Sequence, residues 1–192
     1  MLFSKRAALT TGSIVTAAAA VIGTAAVSQA SDGPKTASHP AVHSRVTSIA
    51  PQLRVPDGNK RIAELAASGV QTYTCTNGAW TLLEPAATLS DARDWRHRPV
   101  ALHSRGPVWV STVDGSAVNA AAVPGATNAR PDAVPELLLK ATANRGSGVF
   151  GSVSYIQRLS TRGGVAPAGS CEAGTQVGVP YTATYVFYAP KG

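Results

Sequence analysis

The sequence predicts an all-β fold: an antiparallel β-sandwich or barrel of about seven or more strands, with one disulfide and little helix. Turn-forming pairs recur along the chain, at Pro56-Asp57-Gly58, Asn77-Gly78, Gly106-Pro107, Asp114-Gly115, Pro124-Gly125 and Gly163-Gly164. Where these signals crowd, from Gly106 to Gly125, they recur about every eight to ten residues, a spacing that separates short strands rather than helices. Between these turns, apolar residues alternate with polar ones at the period of two that belongs to a half-buried strand. The composition, 44% hydrophobic and 14% charged, suits a globular domain and excludes collagen-like, coiled-coil and disordered classes.

The clearest strand is the last, Gln176 to Ala189. There Val177, Val179, Tyr181, Ala183, Tyr185 and Phe187 take the core side. Pro180 lacks a backbone donor, which places this strand at an edge there or gives it a bulge. Val149 to Leu159 alternates as well, with Val153, Tyr155 and Gln157 on one side and Ser154, Ile156 and Arg158 on the other. Val70 to Thr76 and Ala79 to Leu83 form a hairpin about Asn77-Gly78, a dipeptide that accepts the positive φ of a type I′ turn. Pro107 to Val113, Ala117 to Val123 and Leu137 to Ala143 complete the set. Arg61 to Ala67 (RIAELAA) is the one short helix expected, and Trp80 and Trp109, each on a strand, are expected in the core.

The first residues set the compartment. Lys5 and Arg6 precede an Ala/Val/Ile-rich stretch from Ala7 to Val27 and a small-residue exit at Ser28-Gln29-Ala30, the three parts of a secretory signal over residues 1–30. Residues 31–50 read as a flexible tether and residues 51–192 as a single β-rich domain. The protein is therefore expected to be secreted, extracellular or cell-wall associated, with no membrane contact after signal cleavage. Cys75 and Cys171 are the only cysteines, and an even count outside the reducing cytosol reads as one disulfide rather than two unpaired thiols. Of the net charge of +7, Lys5 and Arg6 supply two. What remains forms no Lys/Arg stripe of the kind that binds nucleic acid.

Several groups of residues taken in order resemble a known family: Gly69-Val70-Gln71-Thr72-Tyr73-Thr74-Cys75, Trp80, His103, Gly106-Pro107-Val108-Trp109, Asp114-Gly115-Ser116, Leu137-Leu138-Leu139, Tyr155-Ile156-Gln157-Arg158, Thr161-Arg162-Gly163-Gly164, Cys171 and the tyrosines of the last strand. From about Leu53 to Tyr188 the chain is similar to the domain-of-unknown-function 3455 family of secreted bacterial and fungal proteins. The resemblance implies an exported single domain with paired cysteines, and no activity. The stretch Asp91 to Pro99 is more basic than the family's usual sequence there.

Chemistry-bearing side chains concentrate between His103 and Ser116. If Pro107 to Val113 is a strand, His103 and Asp114 lie near its opposite ends, too far apart for direct hydrogen bonding at about 3.3 Å per residue. Asp114-Gly115-Ser116 reads first as a turn, and His103 as a hydrogen-bonded histidine packed beside Trp109. Ligand-binding candidates are His103, Trp109 and Asp114, with Gln71 and Tyr73 as neighbours. Arg93, Arg96 and Arg98 beside an exposed Trp95 are the candidates for holding an anion, and Gln157-Arg158 with the turn at 161–164 offers a second anion cradle or a plain turn. No metal site, cofactor fingerprint or nucleophile elbow is present in the sequence. The functional expectation is a non-enzymatic extracellular or cell-wall binding module for a glycan or anionic wall polymer; the alternative is a hydrolase-like enzyme using a pocket near His103.

Overall fold

The computed structural model describes residues 49–192. The signal segment and the tether as far as residue 48 lie outside the described residues. Eight strands follow a short 3-10 turn at Pro51–Leu53: β1 (Asn59–Thr76), β2 (Ala79–Asp91), β3 (Pro99–Ser104), β4 (Val108–Ser111), β5 (Ala117–Arg130), β6 (Ala133–Arg145), β7 (Tyr155–Gly163) and β8 (Gln176–Pro190). Each pairs antiparallel with the next, and β8 returns to β1, which closes a barrel. Of the two architectures open to the sequence, the barrel is the one formed. Closure removes the unpaired edges that an open sheet would carry.

An up-and-down barrel has two kinds of end. The β1–β2, β3–β4, β5–β6 and β7–β8 connections gather at one, here called the mouth; the β2–β3, β4–β5 and β6–β7 connections gather at the other, the base. Inward side chains near the base are apolar: Leu65, Leu89, Ala101, Val118, Ile156 and Phe187 are all buried in one cluster. Phe150, from the β6–β7 connection, is fully buried and sets its ring 4.7 Å from that of Phe187. It plugs the base. Its loop is held by Asn144, whose Nδ2 donates to the carbonyls of Phe150 and Val153 at 2.8 and 3.1 Å.

A second, smaller cluster lies outside the barrel wall, where Leu53 packs on Ala126 and Leu138. Gln157 faces this side. Its Nε2 donates to the Leu53 carbonyl at 2.6 Å and its Oε1 accepts from the Tyr188 hydroxyl at 2.8 Å. The N-terminal turn is thereby fastened to β7 by hydrogen bonds to buried groups.

Several boundaries differ from those expected. Residues 61–67 are strand, not helix: β1 pairs with β8 along this stretch and with β2 from Leu65 onward, and these ladders outweigh the helix propensity of Ala, Leu and Glu. β7 begins at Tyr155 rather than Val149, because 149–154 is spent on the Phe150 plug. β3 joins the expected seven as an eighth strand. Trp80 is only half-buried, since it pairs with Cys75 at the hairpin tip, beyond the packed interior. Pro180 sits on no free edge of the fold, yet its missing donor has a local explanation. β7 ends opposite Tyr181, and the Pro180 carbonyl accepts from Gly164 at 2.9 Å on the side where the ladder has stopped.

Cys75 and Cys171 are bonded across a separation of 96 residues. The link ties the β1–β2 hairpin to the β7–β8 connection, as does the Cys171 N–H donating to the Gly78 carbonyl at 3.3 Å. In the chain-entropy account, closing a loop of about 100 residues contributes about 4.7 kcal/mol by restricting the unfolded chain. Both tethers lie at the mouth.

Candidate functional site

Strand alternation that sends apolar side chains into the base sends a mixed set into the mouth. On β1, Gln71 lies opposite Pro85 of β2. His103 of β3 faces Trp109 of β4, and Arg158 of β7 lies between Leu137 of β6 and Tyr185 of β8. With Leu139, Ala122, Pro107 and neighbours from β2, these residues line a cavity of about 360 Å³. That is within the range of small-molecule sites, roughly 300 to 1,000 Å³.

His103 is locked in place. Its ring stacks on Trp109 with centroids 4.2 Å apart and planes 5° from parallel, and Tyr185 meets it edge-on at 5.2 Å. Nδ1 lies 2.9 Å from the Val108 carbonyl oxygen. A carbonyl can only accept, so Nδ1 carries the hydrogen and Nε2 keeps its lone pair. Burial lowers the imidazole pKa to about 4, with the Arg158 charge adding to the effect and the Val108 bond opposing it. The ring is therefore neutral at physiological pH.

The other polar groups of the wall are not so provided for. Gln71, Trp109 and Tyr185 are each 1% exposed, yet Gln71 Nε2, Trp109 Nε1 and the Tyr185 hydroxyl have no hydrogen-bond partner in the protein. Tyr181 and Thr161 behind them are in the same condition. Burial raises the pKa of both Tyr181 and Tyr185, so both phenols stay protonated. Gly164, at φ +78°, lets the β7–β8 connection pass here: a Cβ would come within 2.8 Å of the Tyr181 Cβ and 3.0 Å of the Gln71 Cγ.

Of the residues expected at a site, the structure brings Gln71, His103 and Trp109 into one cavity wall. Tyr73 is the next inward residue of β1. It is buried, and its hydroxyl donates to the Gly164 carbonyl at 2.6 Å, which makes it a brace for the mouth. Asp114 lies at the base. Its carboxylate accepts from the Ser116 hydroxyl at 2.6 Å and from the Ser116 and Val149 backbone at 2.9 and 3.0 Å, bonds that hold it far below the usual carboxylate range. The β2–β3 connection, also at the base, carries Arg93, Arg96 and Arg98. Arg93 pairs with Asp91 at 3.0 Å and Arg98 with Asp94 at 2.8 Å, while Arg96 lies over the ring of the exposed Trp95 at 4.9 Å.

Tyr185, expected only on the core side of the last strand, belongs to the site, and so does Arg158, expected with Gln157 in an anion cradle. Arg158 shares strand parity with Ile156 and so points inward, whereas Gln157 points out to Leu53; the pair forms no shared cradle. Parity was the signal, and the charge on Arg158 argued against using it. Among the described residues no group of three or more His, Cys, Asp or Glu side chains is placed to hold a metal ion.

A family described as "Protein of unknown function (DUF3455)" matches residues 56–189, which takes in all eight strands but the last residue of β8, and the cavity wall. No curated protein and no solved structure matches.

Proposed function

The chain belongs to the DUF3455 family, and for this member of it we propose a non-enzymatic binding module that works outside the cytosol and holds one small molecule in the mouth of its barrel. The observation that carries this reading is a cavity of about 360 Å³ at the mouth, walled by Gln71, His103, Trp109, Arg158 and Tyr185, with polar atoms of Gln71, Trp109 and Tyr185 unpartnered behind its surface. A buried polar group left unpaired costs about 1 to 3 kcal/mol, and native proteins rarely keep several together. Eight-stranded barrels have an interior that can hold one small ligand, and part of this wall is apolar, with Leu82, Pro107, Leu137 and Leu139 offering contact to a hydrocarbon or ring. The disulfide supports a place of work outside the reducing cytosol. Recovery from the culture medium of chains that begin at Ser31 checks the export.

A hydrolase would need a nucleophile beside His103. The residues lining the cavity include no serine, threonine or cysteine, and Ser116 is engaged with Asp114 at the base. Binding is the reading these positions favour.

N-phenyl-1-naphthylamine, a neutral two-ring amine whose emission rises in apolar surroundings, tests the cavity. Saturable binding of one molecule per chain is expected, and Ala122→Trp, which fills the cavity from β5, should abolish it while leaving the melting temperature unchanged. Absence of saturable binding, or binding that Ala122→Trp does not disturb, contradicts the proposal.

A further inference from the structure

Among the charged residues of the cavity wall, Arg158 is placed unlike any surface arginine of the domain. Its alternation along β7 directs it inward, between Leu137 and Tyr185. Nε and one terminal nitrogen donate to the Pro135 carbonyl at 3.0 and 2.8 Å, which fixes the plane of the guanidinium against β6. Two bonds to one carbonyl leave the guanidinium its other edge, which lies by the Tyr185 hydroxyl and has no carboxylate partner. None of the four ion pairs among the described residues includes Arg158, Arg105 or Glu84, the three charged residues of the wall. Two arginines against one glutamate leave an excess positive charge at the cavity.

The neutral groups point to the same chemistry. Trp109 Nε1 is a donor only, and the Gln71 amide nitrogen is another; both are buried without a partner. The Tyr185 hydroxyl, opposite Arg158 in the strand register, adds a third potential donor. Against these donors stand the lone pair of His103 Nε2, on a ring held neutral, and the half-buried Glu84 carboxylate. Two arginines against the one carboxylate of the wall call for ligand oxygens that accept.

We propose that the cavity takes an amphipathic organic anion, a carboxylate or sulfonate on a ring or short hydrocarbon body, with the anion on Arg158 and the apolar body against Leu137, Leu139 and Pro107. This rests on the cavity being a ligand site and adds the class of ligand. Charge-assisted hydrogen bonds to a guanidinium are about twice as strong as neutral ones, and the low-dielectric wall strengthens them further.

A pair of dyes separates the two readings. 8-Anilinonaphthalene-1-sulfonate has the two-ring amine frame of N-phenyl-1-naphthylamine with a sulfonate added. The anion should bind the wild-type protein at least roughly tenfold more tightly than the neutral dye. Arg158→Gln should erase that preference and leave the neutral dye's affinity within roughly twofold, and Glu84→Gln should tighten the anion alone. Equal affinities for the two dyes in the wild-type protein would overturn the anion class while the cavity reading stands; so would an Arg158→Gln variant that weakens both dyes alike. Binding of neither dye would overturn both readings. A shift of the Trp109 indole N–H resonance on adding the sulfonate, absent in Ala122→Trp, locates the bound dye in the mouth.

Discussion

The two ends of this barrel are built from similar residues and resolved in opposite ways. At the base, Ser116 is fully buried, and its hydroxyl both donates to Asp114 and accepts from the Phe150 N–H at 3.0 Å. Asn144 there spends its amide on two carbonyls of the plug. Polar side chains at the base therefore work as clasps on the Phe150 loop. At the mouth, Gln71, Trp109 and Tyr185 are buried as deeply, and each leaves a polar atom without a protein partner. Burial is thus shared by both ends, whereas satisfaction is not. Where a fold could have paired its polar groups and did not, the deficit marks the place that awaits something else.

Breaking the base should cost most. Phe150→Ala removes a fully buried ring from contact with Phe187, and denaturant titration should show a loss of about 3 to 5 kcal/mol. Retention of dye binding by the folded fraction of this variant would show that the mouth does not depend on the plug. Loss of both together would mean that the ends are one cooperative unit.

A second effect belongs to His103 and follows from its pKa. In the unfolded chain the imidazole titrates near its ordinary 6.5, and in the native protein at about 4. Between those values the unfolded state binds the extra proton. Stability held above pH 6.5 is therefore lost progressively as pH falls toward 4, by about 3 kcal/mol in total. His103→Gln, which keeps a donor for the Val108 carbonyl, should flatten that part of the curve. An unchanged slope between pH 6.5 and 4 would show that the imidazole becomes charged within the fold.

Much of this architecture could be read from the residues, and the failures share a cause. The alternation of β8 is explicit because Tyr181, Ala183, Tyr185 and Phe187 are all apolar or aromatic and all face in. Arg61 to Ala67 misleads because its composition is good for a helix, while the two ladders that decide the matter come from β2 and β8, far away in sequence. Pro99 to Ser104 follows a loop crowded with arginines and is short, so β3 gives little signal of its own. At the site, Gln71, His103 and Trp109 were legible from their dense neighbourhood, but Asp114 was drawn in by proximity along the chain and belongs to the opposite end. Arg158 was legible as an anion-holding candidate beside Gln157, but not as part of the cavity wall. A charged residue reads as outward until the partners on both sides, Leu137 and Tyr185, show which way the strand is turned.

The difference between the ends is tested most directly by equilibrium denaturation of two ligand-free variants, Ser116→Ala and Gln71→Leu. At the base, Ser116→Ala leaves the Phe150 N–H without its acceptor and should lower stability by about 1 to 3 kcal/mol. Gln71→Leu has similar burial to contend with, but it removes an amide nitrogen that no protein group satisfies. Replacing an unpaired polar group by an apolar one of similar size should leave the midpoint unchanged or raise it. A fall of about 1 to 3 kcal/mol in Gln71→Leu, matching that of Ser116→Ala, would mean that Gln71 is a structural clasp like those of the base and would contradict the account of the mouth as a binding site.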